Sequence, residues 1–189
     1  EYKMLQSQIN PHFLYNTLNS IKWMATIQGA NGISEMTTSL SRLLKSISKG
    51  TSLLIDIREE LSLLENYFTI QSYRYGGTIS MDIQVDEESL YNSEIIKFTL
   101  QPLVENAIYH GMEFKDGDGI IAITAEEKED GLWFTVMDNG LGMTQEQVDS
   151  LLTEHAHVSS KRGSGIGVKN VNERIRLYFG NEYGLFIES

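Results

Sequence analysis

GTISMDIQV, residues 77–85, is where the chain changes its period. Ile79, Met81, Ile83 and Val85 alternate with Ser80, Asp82 and Gln84, the pattern of a strand with one buried face. Upstream, from Tyr2 to about Tyr75, the repeat is helical. In QSQINPHFLYNTLNSIKWMA (6–25), stepping about 100° per residue puts Leu14, Leu18, Ile21 and Ala25 on one side and His12, Asn16, Asn19 and Trp23 on the other. Asn10-Pro11 reads either as an N-cap followed by proline or as a kink in a helix that began near Tyr2. His12 therefore faces away from the apolar stripe, beside a backbone that lacks one N–H.

After a turn at Gly29-Ala30-Asn31-Gly32, the residues Ile33, Met36, Leu40, Leu43 and Ile47 recur at spacings of three, four, three and four, a coiled-coil-like seam. Gly50-Thr51 interrupts it. Asp56 with Glu59 reads as a capping box opening the stripe Ile57, Leu61, Leu64 and Phe68, which runs to Gly76-Gly77. A hairpin of two long helices has too little surface to bury on itself, so a four-helix bundle in a homodimer is the expected solution. Residues 1–76 are thus read as a helical dimerisation domain and 77–189 as a second domain.

In that second domain, Leu100, Leu103, Val104, Ala107 and Ile108 predict a helix. Ile121, Ile123 and Ala125 predict a strand, as do Leu132, Phe134 and Val136 running into Asp138. Val168, Val171, Ile175 and Leu177 predict a last helix before a strand at Gly184–Glu188. Mixed helices and largely antiparallel strands imply an α+β layer sandwich with helices on one face of one sheet. Between Gly140 and Gly165 only Gln145–Leu152 has a helical pattern, which is how a mobile lid reads.

Composition narrows the partners. Fifteen basic against 26 acidic residues, net −11, argue against a nucleic-acid-binding face, which needs clustered cations. The chain has no cysteine, so disulfides and thiolate metal sites are excluded. No apolar run reaches membrane-spanning length and no signal peptide is visible. The chain opens at Glu1 inside a running helix, and so reads as a piece of a longer protein whose membrane anchor, if any, lies outside it.

Three clusters carry chemistry: LVENAIYHG (103–111), DNGLGM (138–143) and GSGIGVKNV (163–171). None is a P-loop or a dinucleotide-binding glycine motif. Asp138, at a strand end before glycines, can accept a hydrogen bond from an exocyclic amine while the bare backbone approaches a flat ring, which suits adenine. Gly163, Gly165 and Gly167 directly precede a helix whose N-terminus can hold phosphate. Asn106 and His110, four residues apart, share a helix face, and an amide oxygen suits a magnesium ion that keeps most of its waters. The plainer alternatives are a β-turn at Asn139-Gly140, a linker around Gly163 and solvated helix polars. His155 and His157 form a possible metal pair without further ligands nearby.

QINPHFLYNTLNSI, PLVENAIYHG, DNGLGM and GSGIGVKNVNERI together resemble sensor histidine kinases of the LytS/YesM type. The resemblance implies a dimerising helical domain and an ATP-binding domain of the fold shared with gyrase-type ATPases. It implies that His12 is the phosphoacceptor, with Asn16 one turn on positioning water, and that Asn106 binds Mg²⁺ and Asp138 reads adenine. It further implies that Gly140 to Gly142 and Gly163 to Gly167 hinge the ATP lid and touch phosphate. The implied partners are a cytoplasmic response regulator and a membrane sensor region upstream, which makes this the cytoplasmic portion of a membrane-anchored bacterial sensor.

Several departures stand out. The family's lysine three residues after the box asparagine is Tyr109 here, leaving His110, Lys161 and Arg162 as candidates to meet phosphate charge. Gyrase-like ATPases carry a Glu four residues before that asparagine, where this chain has Pro102, so a plain ATPase would lack its base. Phe13 stands where many histidine kinases place an acid beside the acceptor, and Glu105 is either a carboxylate standing behind the metal site or a solvated helix residue. The family continues past the point reached at Ser189 into a closing strand. An ATPase and a degenerate dimerisation module are the competing readings.

Overall fold

A computed structural model describes residues 11–48, 52–112, 118–152 and 166–188. The backbone divides into two compact units, residues 1–53 with 61–77, and residues 54–60 with 78–189.

The first unit is helical. Helices α1 (Pro11–Ile27) and α2 (Asn31–Ser48) pack as the expected hairpin around a turn in which Gly29 takes φ 67°, and α3 (Ile57–Arg74) brings a third helix from Leu61 onward. The Tyr73 hydroxyl donates to Glu35 Oε2 at 2.6 Å, tying α3 to α2, and Tyr73 carbon Cε1 comes so near Gly32 that a Cβ there would sit 2.8 Å from it. The bond to Glu35 also raises the Tyr73 pKa.

The residues that α2 buries are small hydroxyls, Thr37 and Ser41 on one side and Ser39 and Ser46 on the other. Thr37 and Ser41 return their hydroxyls to the carbonyls of Ile33 and Thr37, so these polar groups enter the interface already satisfied. The predicted seam lies elsewhere: Ile33 is 54% and Ile47 63% exposed.

The second unit holds two sheets rather than the one expected. Strand β1 (Leu54–Asp56) pairs antiparallel with β3 (Glu94–Ile96), Ile55 opposite Ile95. Strands β2 (Ile79–Val85), β4 (Gly119–Lys128) and β5 (Gly131–Asp138) form the other, in the order β2-β4-β5. β2 runs parallel to β4 and β4 antiparallel to β5, so the sheet is mixed, because the chain crosses over through α4 (Leu100–Asn106) between β2 and β4. The apolar core gathers Ile96, Leu100, Val104, Ile108, Ile121, Ile123 and Val171, all buried.

Asp56 caps α3, its Oδ1 accepting the Glu59 N–H at 2.6 Å, which is the donor half of the predicted capping box. Helix α5 spans Gln145–Leu152, and α6 spans Ile166–Phe179. Val168 and Val171 point inward as predicted, but Leu177 is 86% exposed, six residues beyond Val171 and so off its stripe.

The predicted strand at Gly184–Glu188 does not form. Its Leu185 N–H goes to the buried Asn172 Oδ1 at 2.9 Å, and Phe186 stacks on Trp133, so the segment is held by a side-chain amide and a ring instead of a ladder. Gly184, at φ 149°, is where Asn172 Oδ1 leaves no room for a Cβ.

Candidate functional site

Helix α1 presents His12 and Asn16 exposed on the same face, as their spacing predicts. Asn16 Nδ2 lies 3.3 Å from His12 Nδ1 and 3.5 Å from Nε2, close enough to orient the ring. Phe13, next to the histidine, is exposed. Asn10, which would separate an N-cap from a kink, lies outside the described residues.

In the second unit, α4 ends at Asn106 and passes into a π-helical turn, Ala107–Met112. The predicted α-helix therefore changes its winding at the residue that matters, a feature common at functional sites. Buried Val104, Ala107 and Ile108 fix the inner face against β4 and β5, leaving Asn106 and Tyr109 half-buried and Glu105 exposed. His110 lies within this turn, but its side chain is outside the described residues.

Asp138 ends β5, opposite Ile121 of β4, and is exposed. Its Oδ1 accepts the Gly140 N–H at 2.8 Å, an Asx-turn that aims the carboxylate. This turn is closed by the Asp138 side chain rather than by the backbone turn at Asn139-Gly140 that was the plainer alternative, and it orients the very group proposed to read adenine. Asn139 locks the turn to the neighbouring strand: its Oδ1 accepts the Ile120 N–H at 2.8 Å and its amide donates to the Asp118 carbonyl. Gly142 takes φ 71°. Because α4 and the π turn pack against β5, the elements carrying Asn106 and Asp138 are neighbours.

The segment after Gly142 opens with a reciprocal cap on α5, in which the Thr144 N–H donates to Gln147 Oε1 and the Gln147 N–H to Thr144 Oγ1. Gly163 and Gly165, together with His155, His157, Lys161 and Arg162, lie outside the described residues. Gly167 is described, and it sits inside the first turn of α6 rather than before the helix. A Cβ there would lie 3.3 Å from the Pro102 Cβ, so this glycine serves close packing between α6 and α4.

A third polar centre was not foreseen. Glu60, on α3, is 1% exposed, and its two oxygens accept the N–H groups of Phe98 at 2.8 Å and Leu100 at 2.9 Å. Phe98 holds φ 58°, the left-handed region, and Thr99 is right-handed, so successive N–H groups converge into an anion-binding nest that the carboxylate fills. From the other side, the Arg174 guanidinium donates to the carbonyls of Lys97 and Phe98. Burial raises the Glu60 pKa, while the N–H groups of Leu100, Phe98 and Thr99 and the Arg174 charge oppose that rise. Its sequence signal was a carboxylate at the third position after Ile57, inside the stripe of Ile57, Leu61 and Leu64.

Among the described residues no three His, Cys, Asp or Glu side chains gather as a metal cluster.

The family model described as "Histidine kinase" matches residues 1–79, and the one described as "Histidine kinase-, DNA gyrase B-, and HSP90-like ATPase" matches residues 91–184. Sensor histidine kinase YesM of Bacillus subtilis is 41% identical over all of this chain and 31% of its own length. Sensor protein LytS of Oceanobacillus iheyensis is 32% identical over 98% of this chain and 32% of its own. Sensor histidine kinase YpdA of Escherichia coli is 34% identical over 95% of this chain and 31% of its own. The chain thus spans about a third of the length of these relatives. It belongs to the sensor histidine kinases of the LytS/YesM type.

Proposed function

We propose that the chain is the kinase portion of a two-component sensor, in which His12 takes the γ-phosphoryl group of ATP and passes it to an aspartate of a response regulator. The observation that carries this reading is the exposed His12 with the Asn16 amide against its ring, on a helical unit separate from the unit bearing Asn106 and Asp138. A nucleophile that must meet nucleotide bound elsewhere has to be exposed.

In the proposed reaction a lone-pair nitrogen of neutral His12 attacks phosphorus in line, the bond to the β,γ-bridging oxygen breaks, ADP leaves, and the ring's surplus proton passes to solvent. Asp138, aimed by its Asx-turn, selects adenine. Asn106 offers its amide oxygen to Mg²⁺, which when bound neutralises phosphate charge. Gly142, at φ 71°, would serve as the hinge of the lid that the family resemblance implies. Asn16, one turn from His12, places water for dephosphorylation of the partner regulator.

A homodimer through α1 and α2 is supported by the apolar side chains they leave outside, among them Met24, Ile27, Ile33, Leu40 and Ile47. Among the described residues no helix is long and apolar enough to cross a membrane. A membrane sensor region joined through chain outside this stretch is part of the same proposal.

Pro102 weighs against plain hydrolysis: at the position of the ATPases' base stands a ring packed near Gly167. Incubation with γ-labelled ATP separates the readings. A kinase labels itself and then passes the label to its regulator, an ATPase releases phosphate without labelling, and a bare dimerisation module does neither. The first result is expected, and either of the others overturns the proposal.

A further inference from the structure

We propose that Glu60 and Arg174 are positioning residues for the nucleotide site, clamping the Lys97–Leu100 turn from opposite sides so that Asn106 is held where it meets magnesium. This deepens the reading above and rests on Asn106 being the metal-binding amide.

Helix α4 is only seven residues long, Leu100–Asn106, so its direction is set by how its first turn is held. That first turn lacks the usual fastening. Thr99 makes no side-chain cap, spending its hydroxyl on the Ile96 carbonyl instead, and Pro102 has no N–H to give. The Leu100 N–H is taken by Glu60, a residue 40 positions earlier in the sequence. The turn before it is held against its own preference, because Phe98 sits in the left-handed region that a side chain with a Cβ disfavours. Glu60 draws in the N–H groups of this turn while Arg174 draws out its carbonyls, so both polar edges are fixed.

The two clamping side chains come from informative places. Arg174 lies on α6, the helix that follows Gly165 and meets Pro102 of α4 at Gly167. Glu60 is borne by α3, the continuous helix that supplies residues 61–74 to the helical unit. Glutamine in place of Glu60 keeps the shape but turns one acceptor into a donor facing a backbone N–H, which loosens the turn while leaving the apolar core intact. A buried glutamate serving only stability would lower the melting temperature without changing how binding responds to magnesium.

The test is ATP affinity of the 189-residue chain by calorimetry, with excess Mg²⁺ and with EDTA, for wild type, Glu60→Gln and Arg174→Lys. Glu60→Gln should lose about tenfold or more of the magnesium-dependent gain in affinity, the range seen when partners behind a metal ligand are removed. Its affinity in EDTA, set by Asp138 and the adenine contacts, should stay within about twofold. Arg174→Lys, which keeps the charge but not the fork that reaches two carbonyls, should lose a smaller part of the same gain. If Glu60→Gln does not fold, Arg174→Lys alone decides, and a full magnesium gain in it overturns the clamp. A full gain in Glu60→Gln, or an equal loss with and without magnesium, also overturns it. A wild type without any magnesium gain removes the Asn106 assignment and the clamp together.

Discussion

Helix α2 and strand β4 bury opposite kinds of residue. β4 buries Ile121, Ile123 and Ala125, whereas α2 buries Thr37, Ser39, Ser41 and Ser46 and leaves Ile33, Leu40 and Ile47 outside. A single copy thus completes the core of the nucleotide unit but leaves the helical unit with its greasiest stripe in water. The difference teaches that hydrophobic periodicity in α2 does not mark the core of a single copy, and it is what the proposed interface between copies would use. Small hydroxyls such as Thr37 and Ser41, bonded to carbonyls one turn back, allow close approach to neighbours within the unit.

Breaking that comparison at the interface should give the largest effect. Leu40→Asp would place an unpaired carboxylate in the seam, costing the dimer about 3–5 kcal/mol, while the melting of the monomeric nucleotide unit stays put. Sedimentation velocity should show monomers at concentrations where wild type is dimeric, and an unchanged dimer would show that the seam faces something else. Next comes the apolar core. Ile121→Ala should destabilise the nucleotide unit by about 2–5 kcal/mol in urea unfolding, with dimerisation unaffected. A loss below about 1 kcal/mol would mean that the core is less tightly packed than its burial indicates.

How much of this was legible in the sequence depends on the range of the interactions. The β2 alternation, the α5 bounds, the Asp56 cap and the His12–Asn16 spacing are local, and each was readable from residues a few positions apart. Strand β1 was not, because three residues at Leu54–Asp56 carry no period and become a strand only by pairing with Glu94–Ile96 about 40 positions away. The Glu60 nest fails for the same reason: its partners lie 38 and 40 residues on, and the left-handed turn is formed by a phenylalanine, which announces no such conformation. Gly184–Glu188 reads as a strand from its apolar run Leu185–Ile187, yet Asn172 and Trp133 supply its contacts from elsewhere. Gly167 was read as a phosphate loop because its role as a close-packing point depends on Pro102, which only the folded chain brings near. At the nucleotide site, Asp138 and Asn106 were readable as types in position, but the Asx-turn and the π winding that present them were not.

The smallest expected effect lies at Tyr109, on the π turn, where the family's lysine is missing. Tyr109→Lys adds a cation to a half-exposed position and should tighten ATP binding by about two- to fivefold at low ionic strength, the gain fading as salt rises. Calorimetry at two salt concentrations checks it, and a salt-independent change would point to packing of the ring rather than charge.

The account turns on His12, and the most direct measurement is the chemistry of the phosphate it is proposed to carry. Wild type and His12→Gln are incubated with γ-labelled ATP and Mg²⁺, denatured, and the bound label is followed through acid and through base. The predicted result is label on wild type that is lost in acid and kept in base, as a phosphoramidate behaves, and none on His12→Gln, although that variant still binds ATP. Label of equal amount on His12→Gln, or label on wild type that survives acid, would place the nucleophile on another residue and leave α1 as a bundle helix.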